Sequence, residues 1–109
     1  MTSNTLVDVH LDLANNLEIP DEGTLSKVLY SDDLIRVVGF AFDTGQELSE
    51  HTATIPVVVQ VVSGLFRFDV EDESWEIGPS SWMHLDASVP HSVTALEPSR
   101  LLLTLLKGK

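Results

Sequence analysis

The sequence predicts an all-β domain, a sandwich or barrel of about nine or ten short strands. Three observations predict it. Apolar residues recur with a period of two along nearly the whole chain, as in strands with one wet face. Turn-forming residues interrupt the pattern roughly every 8–12 residues. No stretch joins a capping residue to a sustained helical period, one turn near Asn15 excepted.

The elements follow in order. Leu6 to Leu13 sets Val7, Val9, Leu11 and Leu13 against Asp8, His10 and Asp12, and reads as a half-buried strand. Asn15 to Gly23 is polar, contains Pro20, and reads as a loop. Leu25 to Tyr30 and Leu34 to Phe42 are strands parted by Ser31-Asp32-Asp33, and Asp43-Thr44-Gly45-Gln46 is a turn. Pro56 to Val62, PVVVQVV, is too apolar for a one-sided strand, and its valines favour a buried strand over a helix. Ser63-Gly64 turns into Leu65 to Val70, and Glu71-Asp72-Glu73 into Ser74 to Ile77. Gly78-Pro79-Ser80 leads to Trp82 to Leu85, then His91 to Leu96 and Arg100 to Leu106. The last run is leucine-rich and helical by propensity, but Pro98 and the preceding strands make it a buried closing strand. Phe40 with Phe42, and Phe66 with Phe68, are i, i+2 pairs that each share a face and read as core or interface. Trp75 and Trp82 flank a hairpin and read as core or as cover for a dimer surface.

At 109 residues the chain is one expected domain, 1–109, long enough to bury a core without staples. Hydrophobic content of 43% with 21% charged residues argues against disorder. With no cysteine there are no disulfides, thiolate metal sites or cysteine nucleophiles. Seventeen acidic residues against six basic ones give a net charge of −11, which disfavours nucleic acid and anionic membrane as partners. The acids sit mostly in connections such as Asp21-Glu22, Asp32-Asp33 and Glu71-Asp72-Glu73, so they read as solubility rather than as a metal-binding cluster. No apolar run approaches the roughly 18 residues of a membrane helix. The start, MTSNTLVDVHLDL, lacks a basic region followed by an apolar stretch, so no signal peptide is expected and the expected location is cytoplasmic.

Residues 24–106 resemble the small single-domain members of the cupin superfamily. Its first motif runs Gly, five residues, His, one residue, His, three or four residues, Glu, six residues, Gly. Here His51 follows Gly45 after five residues and Gly64 closes the motif. The second motif runs Gly, five residues, Pro, one residue, Gly, two residues, His, three residues, Asn. His91 falls on its histidine. The resemblance implies an antiparallel jelly-roll barrel open at one end. It also implies a divalent metal (Zn, Fe, Mn, Ni or Cu) held by the motif histidines and glutamate. The departures bear on this. Ala53 stands at the second histidine of the first motif and Val57 at the glutamate; Ser80, Asp86, Ser88 and Ala95 stand at the first glycine, proline, second glycine and asparagine of the second. Of four ligands, His51 and His91 remain.

Catalytic metal sites usually take three protein ligands, and no convincing third is at hand. Glu50 and Gln60 should face away from the interior by alternation, and His84 should not share the inward face of Met83 and Leu85. His10 reads as exposed or as a subunit contact. Ala53 and Val57 make the interior more apolar and suit a small hydrophobic or aromatic ligand. The expected pocket is lined by His51, Ala53, Val57, Val59, Met83 and His91, with Val61 on the same face; the metal ligands, if a metal is held, are His51 and His91. Three functions stay open: a small-molecule-binding protein with a pocket at the barrel mouth, a metal-dependent dioxygenase- or isomerase-like enzyme on a two-histidine site, and a ligand-sensing accessory module. The resemblance also implies a homodimer, built by packing sheets or exchanging the N-terminal strand.

Overall fold

The structure, a computed structural model, describes residues 6–51 and 54–108, with the backbone alone for 49–51. It contains one helical turn, α1 (Leu13–Asn16), and nine strands: β1 (Thr24–Ser31), β2 (Ile35–Phe42), β3 (Glu47–His51), β4 (Val57–Ser63), β5 (Phe66–Val70), β6 (Glu73–Ile77), β7 (Trp82–Leu85), β8 (His91–Ala95) and β9 (Ser99–Leu106). The strands form a five-stranded sheet in the order β1-β2-β9-β4-β7 and a four-stranded sheet in the order β3-β8-β5-β6. All seven strand pairings are antiparallel. The chain passes repeatedly from one sheet to the other, which is the jelly-roll way of closing an antiparallel barrel.

Alternation carries the packing. In β4, Val57, Val59 and Val61 are buried, Gln60 is exposed and Val58 is half-buried, so the valine run has one core face rather than two. Val61, Leu101 and Phe40 share one register row, and Val59, Leu103 and Val38 the next. From the other sheet, Phe66, Phe68, Val93 and Ala95 meet them, and the Phe42 and Phe66 rings touch edge-to-face at 5.2 Å. Both phenylalanine pairs thus lie inward, with Phe42, Phe66 and Phe68 fully buried. The leucine-rich β9 is a strand, as expected, and lies between β2 and β4 rather than at an edge.

Two elements differ from the sequence reading. Residues 6–12 form no strand, and Leu6 and Leu11 are 98% and 91% exposed. Their alternation is that of a strand, but a strand needs a ladder partner. Among the described residues no backbone hydrogen bond ties 6–11 to another segment. Conversely Glu47–His51 is a strand that composition hides.

Turns are held by side chains. The Asp32 carboxylate accepts the backbone N–H groups of Leu34 and Ile35 at 2.8 and 2.9 Å, closing the β1–β2 connection. At the β4–β5 turn, Gly64 has φ +89 and an added Cβ there would sit 2.0 Å from the Ser99 Oγ. Buried Ser99 accepts the Leu65 N–H at 2.9 Å and donates to the Glu97 carbonyl at 2.6 Å.

Candidate functional site

His91 opens β8 directly after Pro90 and is 7% exposed. Its Nδ1 lies 2.9 Å from the Val89 carbonyl. A carbonyl only accepts, so Nδ1 carries the hydrogen, and in the neutral ring Nε2 is then an acceptor. The imidazole stacks on Phe68, centroids 5.6 Å apart and planes 13° apart. His91 and Phe68, with Leu48, Val93, Leu101 and Leu103, line a small interior cavity of about 10 Å³, room for about one water. Among the described residues, the His91 imidazole is the polar side chain in an otherwise apolar lining.

The backbone of His51 stands directly opposite His91 in the β3–β8 pair. Leu48 pairs with Val93, and the register slips by one residue between Leu48 and His51. Strict alternation from Leu48 would place position 51 on the other face. The extra residue of this bulge restores its match to His91. The side chains of His51 and Glu50, and all of Ala53, lie outside the described residues.

The other expected pocket residues sit in the packed wall. Val57 and Val59 are 3% and 1% exposed, and Met83 packs on the same core half-buried. None of the three lines the cavity, although Val59 is the register neighbour of Leu103, which does. Sequence reasoning missed Leu48, Phe68, Val93, Leu101 and Leu103, because their convergence depends on cross-strand register.

The remaining polar groups belong elsewhere. His84 faces outward beside Trp82, their rings stacked at 6.5 Å, and Gln60 is exposed as expected. His10 Nε2 pairs with Asp8 at 2.8 Å. Asp69, on the outer side of the four-stranded sheet, is held below the ordinary carboxylate range chiefly by the Ser74 hydroxyl, with Arg67 and Ser92 helping.

Solved structures match the fold. A cupin superfamily protein from Desulfitobacterium hafniense superposes with a TM-score of 0.84, covering 95% of this chain and 95% of its own at 20% identity. The chain has the cupin fold. A conserved protein of unknown function from Streptococcus pyogenes also matches the cupin barrel seen here, with a TM-score of 0.84, 25% identity, and 98% and 94% coverage of the two chains. A cupin 2 conserved barrel domain protein from Leptotrichia buccalis matches at 0.83 and 26% identity, over 89% of this chain and 47% of that one. No protein-family model and no curated protein sequence matches the chain.

Within the cupin barrel, Ser80 and Ser88 stand at the motif glycines and hold φ +80 and +68. The backbone turn is therefore kept after the glycines are gone. The metal set is not kept. Val57 is a buried hydrocarbon with no donor atom. Among the described residues no three His, Cys, Asp or Glu side chains converge to hold an ion. The described donors do not fit a three-ligand metal site. Among the same residues, no helix is long and apolar enough to cross a membrane.

Proposed function

We propose that the protein binds a small apolar or aromatic molecule at the mouth of its cupin barrel, with His91 and His51 as the polar contacts and no metal. The observation that carries this reading is the buried His91 imidazole, fixed by Val89 and Phe68 within an apolar wall. Ligand sites of this kind combine apolar lining with few placed polar groups. An imidazole suits a ligand hydroxyl or N–H. The ligand's polar group takes the place of the one water the cavity accommodates, and its apolar body lies against the leucine, valine and phenylalanine side chains of the lining.

Methyl-detected NMR with a library of phenols and aromatic amides tests this. Binders should shift the methyls of Val93, Leu101 and Leu103, and His91→Ala should weaken them at least about tenfold, worth roughly 1.4 kcal/mol. Shifts confined to other surfaces would reject the site. Elemental analysis of protein without a histidine tag decides the metal. Less than about a tenth of an ion per chain is expected; stoichiometric metal lost in both His51→Ala and His91→Ala would instead support the two-histidine enzyme reading.

A further inference from the structure

A second recess lies outside the barrel. Residues 6–13 stand off the outer face of the five-stranded sheet and leave an open groove of about 920 Å³, a size within the roughly 300–1,000 Å³ of small-molecule sites. Leu29, Val37 and Leu102 form its floor, and Val9 and Leu13 belong to the facing wall. The groove is separate from the His91 cavity. Both reach β9, but Leu101 and Leu103 line the cavity, whereas Leu102 alternates outward into the groove.

Asp8, His10 and Tyr30 are the polar residues of the lining. His10 Nε2 lies 2.8 Å from the Asp8 carboxylate. The Tyr30 hydroxyl donates to Asp32 at 2.7 Å, which leaves its oxygen to accept. Asp32, first through that hydrogen bond, and then burial and Asp8 hold the phenol's ionisation above its ordinary value. Two carboxylates thus act at one place. Lys107, whose Nζ donates to the Asp32 carbonyl at 2.7 Å, offsets part of the Asp32 charge. Among the described residues the lining itself holds no Lys or Arg. None of the 17 acidic residues lies in β1, β2, β4, β7 or β9. The acid of the groove therefore comes from residues 6–13 and the β1–β2 turn, and stands beside an apolar floor.

We propose that this groove binds a small amphipathic cation, a molecule with an apolar body and one protonated amine. Charge selects the occupant. The body covers Leu29, Val37 and Leu102, and the ammonium donates to the Asp8 carboxylate and the Tyr30 oxygen. A neutral apolar molecule lacks the carboxylate contact, and an anion meets a chain of net charge −11. Among the described residues no backbone hydrogen bond ties 6–11 to another segment. This wall can settle on the ligand without breaking a strand ladder.

Three naphthalenes of one shape test the site: naphthylmethylamine, naphthylmethanol and naphthoate, titrated into the full chain under methyl-detected NMR. The amine should shift the methyls of Leu13, Val37 and Leu102 with a Kd below about 1 mM, and bind at least about tenfold tighter than the alcohol, with naphthoate weakest. Asp8→Asn should weaken the amine at least about tenfold and leave the alcohol unchanged. Asp8 is exposed, so its substitution spares the core. Glu76→Gln removes the same charge from the opposite sheet, and should leave the amine within about twofold because so distant a charge is screened. Equal affinity for amine and alcohol, or equal losses in Asp8→Asn and Glu76→Gln, overturns the proposal. Shifts confined to Val93 and Leu103 overturn it too, and give the amine to the barrel cavity. Silent groove methyls also overturn it, and a mass of twice 12.0 kDa by light scattering then gives the groove to a second copy.

Discussion

Ser80 and Ser88 stand at the motif glycines and are, with Glu22 and Glu71, the described non-glycine residues that hold a positive φ. Their φ values of +80 and +68 lie in the left-handed region, where a Cβ crowds the following carbonyl. The strain is of order 1–2 kcal/mol at each. Glycine removes it but loses about 0.4–1 kcal/mol to the greater freedom of the unfolded chain. Ser88→Gly and Ser80→Gly should therefore each stabilise by about 0.5–1 kcal/mol, read as a higher urea midpoint at unchanged m value. A lower midpoint in both would mean that the serines hold their turns by contacts rather than tolerating them. Gly64 is the opposite case: it has φ +89 and no room beside Ser99. Comparison of residue types alone reads Ser80 and Ser88 as departures from the cupin pattern. The dihedral angles make them departures in side chain only. His91 was legible for a related reason, since the turn that ends in Pro90 keeps its place even where its letters change.

Alternation reports that a strand is half-buried; it does not report what pairs with it. That is why most strands could be read from the sequence and two segments could not. Residues 6–12 alternate without a partner in the chain, and β3 pairs with β8 through a bulge that breaks the alternation. The bulge also explains why Leu48 was not foreseen beside His91, and why the opposed positions 51 and 91 could be inferred only from the motif resemblance. Between these segments lies α1, whose docking is specific. Leu17, just beyond it, is fully buried on the outer side of the five-stranded sheet, above Gly39. An added Cβ at Gly39 would lie 2.8 Å from the Leu17 Cδ1. Arg100 Nε donates to the Leu17 carbonyl at 2.6 Å, tying the turn to β9. Leu17→Ala should therefore cost about 2–5 kcal/mol, the range for a core leucine, although it lies outside the barrel interior. Chemical denaturation measures it; a loss below about 0.5 kcal/mol would mean that α1 is only loosely docked. Gly39→Ala should be destabilising as well, because it pushes Leu17 off its seat.

For the whole molecule the governing quantity is the net charge of −11. The absence of acid from the five-stranded sheet confines that charge to loops and the opposite sheet, so self-repulsion acts over the surface rather than through the core. Repulsion of this kind is screened over about 30 Å at 0.01 M salt and only a few ångströms near 0.5 M. At pH 7 the melting temperature should rise as sodium chloride goes from about 10 to 500 mM at fixed protein concentration. Acid changes the balance in two directions. As pH falls towards the isoelectric point near 4.4 the net charge falls towards zero, which relieves repulsion. Asp32, Asp43 and Asp69 keep their charge to lower pH. Backbone N–H groups of Ile35 and Glu22 lead the causes for Asp32 and Asp43, and the Ser74 hydroxyl for Asp69, each lowering the folded pKa. Their contribution is present above the ordinary carboxylate value and is lost as pH falls through the lowered one. At the isoelectric point the repulsion is gone while part of these turn contacts remains. The salt increment in melting temperature should therefore be positive at pH 7 and close to zero near pH 4.4. An equal increment at both would show that salt acts on apolar burial rather than on charge.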